Sequence, residues 1–199
     1  NRYSGEINLE LSSIQLFDEE KSWARDQLNQ LGFLKPIAFF PFSVASSRSI
    51  PQIKALEIVE KTTEPIVVFG GKGDRERAEI LVKGSQKKNI VTVAGHYNLR
   101  ESMALISECK GAIASDSGLG HISLNLGVPT VSLFGAGDSD ITRPLGAISR
   151  IINENVECSP CLKNKGDNRD EPLLCLNDVR SDLPWEVLNE LLGKTNPNG

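Results

Sequence analysis

The sequence predicts an α/β fold, a Rossmann-like doubly wound parallel sheet of about six strands. Three observations predict it. Between Lys35 and Ile152, short apolar runs alternate with amphipathic segments of helical length, the order that a parallel sheet covered by helices requires. The runs are rich in Val, Ile and Phe, as strands buried on both faces are. The stretches that follow several of them are polar and glycine-bearing, the composition of strand-end loops that face a ligand.

In chain order, Asp18 to Leu31 reads as a helix with acidic residues at its start and Gly32 as its stop. Residues 1–34 are therefore expected to be a linker and a helix that packs on the domain. The predicted strands are Ile37–Phe40, Ile66–Phe69, Ile90–Val93, Ala112–Ala114, Thr130–Phe134 and Ile148–Ile152. Helices are predicted from Gln52 to Lys61, Asp74 to Gly84, Leu99 to Cys109 and Leu119 to Leu126, with a turn-rich piece around Asp138 to Leu145. A cysteine-bearing excursion follows at 153–180. Pro184 and Gly193 then frame a last helix, which closes the domain at 35–193, and residues 194–199 are expected to be disordered. Right-handed crossovers between parallel strands complete the doubly wound sheet.

At 199 residues the chain is long enough to bury a core of its own. Hydrophobic residues make up 39% and charged residues 24%, the balance of a soluble globular protein. The longest apolar runs have the length of strands, so no transmembrane span is expected. No basic flank leads into an apolar run at the start of the sequence, which predicts a cytoplasmic, reducing setting. A net charge of −4 argues against nucleic acid as a partner, because phosphate backbones are held by clustered Lys and Arg. Four cysteines are few for a disulfide scaffold of this length.

Ligands of open α/β sheets bind beyond the carboxyl ends of the strands. "SDSGLGH", residues 115–121, sits there, after one predicted strand and at the start of a helix. Ser115 to Gly120 offer small side chains and backbone N–H groups at a helix N-terminus, a setting that attracts anions such as a diphosphate. Asp116 can accept hydrogen bonds from hydroxyls, and His121 can donate to a phosphate oxygen. Each residue alone also has a plainer role, Asp116 or Ser117 as a cap and Gly118 as a turn former. Their combination in one loop favours the binding site.

Three more loops reach the same edge. "FGGKGDRERAE" contributes Gly71 and Glu76, the latter either accepting from ribose hydroxyls or complementing the helix dipole. Its glycine spacing is not that of the dinucleotide fingerprint. "PFSVASSRSIP" contributes Ser46, Ser47 and Arg48, the basic group best placed to neutralise a diphosphate. "FGAGDSD" contributes Gly135, Gly137 and Asp138. The four loops are expected to converge on one crevice.

These residues carry a family resemblance. "D-S-G-x-x-H" followed by "L-G-V-P-T-V-S-L-F-G" resembles the donor-side signature of glycosyltransferase family 9, the ADP-heptose:lipopolysaccharide heptosyltransferases. "VVFGGKGDRERAE", "VTVAGHYNLRESMALISECKGAIASDSG" and "CSPC" with a later cysteine agree with it, over roughly Lys35 to Leu192. The resemblance implies the C-terminal half of a GT-B enzyme, the half that holds the nucleotide sugar. It implies that Asp116 contacts donor-sugar hydroxyls, that Ser117, Gly118 and His121 line the diphosphate, and that Glu76 reaches the nucleoside. It implies an ADP-sugar ligand with no required cofactor, a lipid-linked saccharide acceptor, and an acceptor domain and general base outside this chain. Arg48 stands where that family has lysine, Ile50 where it has tryptophan before Pro51, and Gly137 where it commonly has threonine.

Leaving-group stabilisation would fall to Arg48, His121 and the N–H groups of Ser117 and Gly118. The chain alone would then bind the nucleotide and transfer nothing. The same residues also suit a nucleotide-binding module without catalysis, or another GT-B enzyme such as a nucleotide-sugar epimerase. Cys158, Cys161 and Cys175 supply three thiolates, one short of a closed zinc site unless His96 or His121 completes it, so packed thiols are expected rather than a metal.

Overall fold

The structure is a computed structural model that describes residues 13–154, 156–157, 159–161 and 174–195. Its frame is a six-stranded parallel sheet. The strands are β1 (Ile37–Phe40), β2 (Ile66–Val68), β3 (Ile90–Thr92), β4 (Gly111–Ser115), β5 (Thr130–Phe134) and β6 (Ser149–Asn153), in the order β3-β2-β1-β4-β5-β6. Ile37 stands beside both Ile66 and Gly111, and Thr130 beside both Ala112 and Ser149. The chain steps outward from β1 to β3, then returns to the other side of β1 with β4. That reversal opens a crevice at the carboxyl ends of β1 and β4.

The helices are α1 (Asp18–Gln30), α2 (Gln52–Glu60), α3 (Arg75–Gly84), α4 (Leu99–Ser107), α5 (Gly118–Asn125), α6 (Ser139–Thr142), α7 (Leu174–Asn177) and α8 (Leu183–Thr195). Alternate strand residues supply two separate cores, because successive side chains of a strand point to opposite faces. Ile37, Phe39, Ile66, Val68 and Ile113 pack against Ile58 of α2, Leu81 of α3, and Trp185 and Leu188 of α8. Ala38, Phe40, Val67, Phe69 and Ala112 pack on the other face against Ala24 and Leu28 of α1 and Ala104 and Leu105 of α4. The doubly wound, Rossmann-like fold class is thus the observed one.

The predicted elements are all present, with ends moved by one or two residues where hydrogen bonds, not side-chain type, decide. β6 runs Ser149–Asn153 because Ile148 only offers its carbonyl to Thr130 N. The turn-rich piece after β5 contains the single turn α6, capped by Asp138, whose Oδ1 accepts from Asp140 N at 2.9 Å. α8 continues through Gly193 to Thr195. Among the described residues no helix is long and apolar enough to cross a membrane.

Close approach explains one glycine near the crevice. A Cβ at Gly120 would stand 3.1 Å from Ala114 Cβ and 3.5 Å from Ser132 Oγ, so a glycine lets the first turn of α5 lie against β4 and β5. Below it, Thr130 Oγ1 donates to Val128 O at 2.8 Å and accepts from Ser123 Oγ at 3.0 Å, which pins α5 to the start of β5. The helix therefore begins directly at the crevice.

Candidate functional site

The crevice holds a cavity of about 730 Å³ lined by Ser43, Val44, Ser46, Arg48, Asp116 and His121 among others. Ser43 to Arg48 come from the loop after β1, whose residues Ser46–Arg48 form a 3₁₀ turn. Asp116, Ser117, Gly118 and His121 come from the junction of β4 and α5. Thr142 of α6 closes the third side. The loops after β1, β4 and β5 thus meet where the strand order reverses.

Asp116 is 5% exposed, and its Oδ2 lies 3.5 Å from Arg48 Nε. The two are close enough for ionic attraction, yet neither atom has a hydrogen-bond partner among the described residues. Ser117 Oγ, also buried, has none either. Burial pushes the Asp116 carboxyl above its usual range, and the charges of Arg48 and His121 oppose that rise. Leaving buried polar atoms unpaired costs free energy, so three of them gathered beside one cavity make this the candidate site among the described residues. A guanidinium, a carboxylate, a hydroxyl and the N-terminus of an eight-residue helix together suit a ligand that carries both anionic oxygens and hydroxyl groups.

Of the residues singled out in the sequence, Ser46, Arg48, Asp116, Ser117, Gly118 and His121 are brought together here. Ser47 is 1% exposed and does not line the cavity. Gly71, Glu76 and Gly135 are placed elsewhere. The loop after β2 turns toward β3, where Gly95 N donates to Gly70 O at 3.0 Å and Arg75 Nη2 to Gly95 O at 2.8 Å. Gly71 there donates its N–H to Asp74 Oδ2 at 2.9 Å, and Glu76 is exposed on α3. Gly135 packs against α7, where a Cβ would come 2.6 Å from Cys175 Sγ, and its carbonyl accepts from Ser159 Oγ at 2.6 Å. The expected convergence of four loops therefore reduces to three, and the fourth loop lines the cavity through Thr142 rather than Gly135, with Gly137 packed against Asp116.

Val44 and Thr142 were not picked out in the sequence: Val44 is apolar, and Thr142 spends its hydroxyl on Asp138 O at 2.9 Å. The cysteines divide. Cys175 is buried and Cys161 exposed, while Cys158 lies outside the described residues. Among the described residues no cluster of three metal-binding side chains forms.

Residues 9–170 match the model of glycosyltransferase family 9 (heptosyltransferase). Lipopolysaccharide heptosyltransferase 2 of Escherichia coli K12 is 28% identical over 186 residues, which cover 90% of this chain and 53% of that protein. Lipooligosaccharide heptosyltransferase 2 of Haemophilus influenzae is 35% identical over 132 residues, covering 65% of this chain and 38% of that one. The chain thus spans about half the length, or less, of these curated relatives. The solved structure of the E. coli ADP-heptose heptosyltransferase II superposes with a TM-score of 0.73 at 24% identity, over 92% of this chain and 54% of that one. Its likeness confirms the fold. With the family match covering well over half of the sequence, the chain belongs to glycosyltransferase family 9.

Proposed function

We propose that this chain is the donor-binding half of a glycosyltransferase that moves a heptose from ADP-heptose to a lipopolysaccharide-core acceptor. The observation that supports it best is the meeting of three unpartnered buried atoms, Arg48 Nε, Asp116 Oδ2 and Ser117 Oγ, at the strand-order reversal. In this reading the diphosphate lies between Arg48, His121 and the N–H groups of Ser117 and Gly118. Asp116 accepts from sugar hydroxyls, and Ser46 adds a hydroxyl to the phosphates. Ser47, being buried, serves by shaping the turn that presents Arg48. Glu76, exposed at the next loop along the same edge, is the candidate for the nucleoside.

The reaction breaks the bond between the anomeric carbon and the diphosphate oxygen while an acceptor hydroxyl forms a new one. Negative charge then gathers on the departing diphosphate. Donors already aimed at those oxygens stabilise it without having to reorganise. The acceptor site and the base that takes the hydroxyl proton are proposed to lie in the half of the protein that this chain does not span, as the lengths of the relatives suggest. Transfer would take place on the cytoplasmic side of the inner membrane, where a lipid-linked saccharide is presented.

Calorimetric titration of ADP, UDP and GDP, each alone and as its sugar conjugate, tests the reading. ADP-heptose is expected to bind most tightly. Asp116→Ala should weaken the sugar conjugate by about tenfold or more, the loss of one charge-assisted hydrogen bond. Bare ADP should be little changed. Equal loss of both ligands would deny Asp116 any role toward the sugar.

A further inference from the structure

Ser49 is 2% exposed and does not line the cavity. Its hydroxyl turns back across the loop after β1, where it accepts from Ser43 N at 2.9 Å and donates to Ser43 O at 3.3 Å. One step nearer the sheet, Ile50 N donates to Pro41 O at 2.8 Å. These two rungs close the neck of a loop whose tip carries Val44, Ala45, Ser46 and Arg48 to the cavity. The second rung falls to a side chain because the 3₁₀ turn takes the backbone: Ser49 N donates to Ser46 O at 3.1 Å. A hydroxyl suits the place, since it can accept from an N–H and donate to a carbonyl at once.

We infer that Ser49 is a positioning residue. Its hydroxyl closes the loop after β1 and so holds Ser46 and Arg48 where they meet the diphosphate of the ligand. The inference rests on the proposed reading of the cavity as a sugar-nucleotide site. Arg48 is the member that gains most from a fixed base, because its side chain is long and 30% exposed and has many rotamers to lose. A tip held in shape before the ligand arrives needs no ordering on binding, and a tip set loose must be ordered at the expense of affinity. Asp116 stands on the junction of β4 and α5 and does not depend on this clasp. Loss of the clasp should therefore weaken the grip on the diphosphate, whether or not a sugar is attached to it.

Hydrogen exchange and calorimetric titration of the protein, its Ser49→Ala and Arg48→Ala variants and the double variant test the inference. Without ligand, Ser49→Ala should speed amide exchange in the loop tip, residues 44–48, by about fivefold or more, and leave the strands unchanged. ADP and ADP-heptose should then each bind about tenfold more weakly, the equivalent of one or two hydrogen bonds. That pattern differs from Asp116→Ala, which is expected to spare ADP. In the Arg48→Ala background the same change should weaken ADP by about threefold or less, because the side chain that the clasp positions is gone. A serine that served stability alone would lower Tm and leave both affinities in place. Unchanged exchange in the tip, unchanged ADP binding, a loss confined to ADP-heptose, or a full loss that persists without Arg48 would each overturn the inference. So would failure of Ser49→Ala to fold, which would make the residue part of the frame. Faster exchange in the tip, with wild-type protein that bound neither ligand, would leave the clasp standing and overturn the reading of the cavity, and the role in binding with it.

Discussion

At Asp116 the chain places a carboxylate where a hydrocarbon would be easier to bury. The residue follows β4 directly and lies almost out of reach of water, with Arg48 close but not hydrogen-bonded. This has a consequence for stability. Burial holds the folded-state carboxyl above its usual range, so the folded chain keeps the Asp116 proton to higher pH than the unfolded chain does. Over the window from the usual value, about 3.9, up to the raised one, the folded state binds more protons. Stability therefore falls as pH rises through that window and stays lower above it. Asp116→Asn removes the ionisation and keeps the shape. It should raise Tm at pH 7 by about 2–4 °C, the shift that roughly 1 kcal/mol produces in a chain of this size. Below the usual carboxylate range the gain should vanish. A lower Tm at pH 7, measured by differential scanning calorimetry, would mean that pairing with Arg48 outweighs the cost of burial.

At the scale of elements, the last helix shows how a distant segment secures the frame. Trp185 of α8 donates its indole N–H to Ile58 O at 2.6 Å, across the face of the sheet from which α2 rises. Lys54 of α2 donates to Val179 O at 3.0 Å, which joins the Trp185 bond in tying α2 to the C-terminal segment, and within α2 it pairs with Glu57 at 2.7 Å. Trp185→Phe should cost about 2 kcal/mol, from the lost indole hydrogen bond and a smaller ring, while Ile58 O keeps its bond from Lys61 N at 3.1 Å. Urea unfolding checks this, and a midpoint unchanged from wild type would contradict it. Neither tie was legible in the sequence, because they join residues 127 and 125 positions apart and the carbonyls involved leave no mark on residue type. What was legible is local. The apolar runs gave the strands, Pro184 marked the start of α8, and "SDSGLGH" lay after β4 as expected. Gly71 and Glu76 do not line the cavity at the reversal, and the sequence could not show this because it tells which edge of a sheet a loop occupies, not how far along it. Strand order decides that, and it puts the loop after β2 one strand away from the reversal, against the loop after β3.

For the whole molecule, the sheet order β3-β2-β1-β4-β5-β6 dictates where ligand chemistry gathers. Two apolar cores hold the strands between helices and leave the carboxyl edge polar at β1 and β4. The matched stretch covers 53% of one curated relative and 38% of another, which agrees with the proposal that a second half brings the acceptor. Addition of that half should convert binding into transfer.

The most direct measurement is a crystal structure of the protein with ADP-heptose. The account predicts diphosphate density at the ends of β1 and β4, within hydrogen-bond reach of Arg48 and Ser117, with a sugar hydroxyl on Asp116. Density for the ligand anywhere else, with Arg48 and Asp116 still facing each other across 3.5 Å, would contradict it.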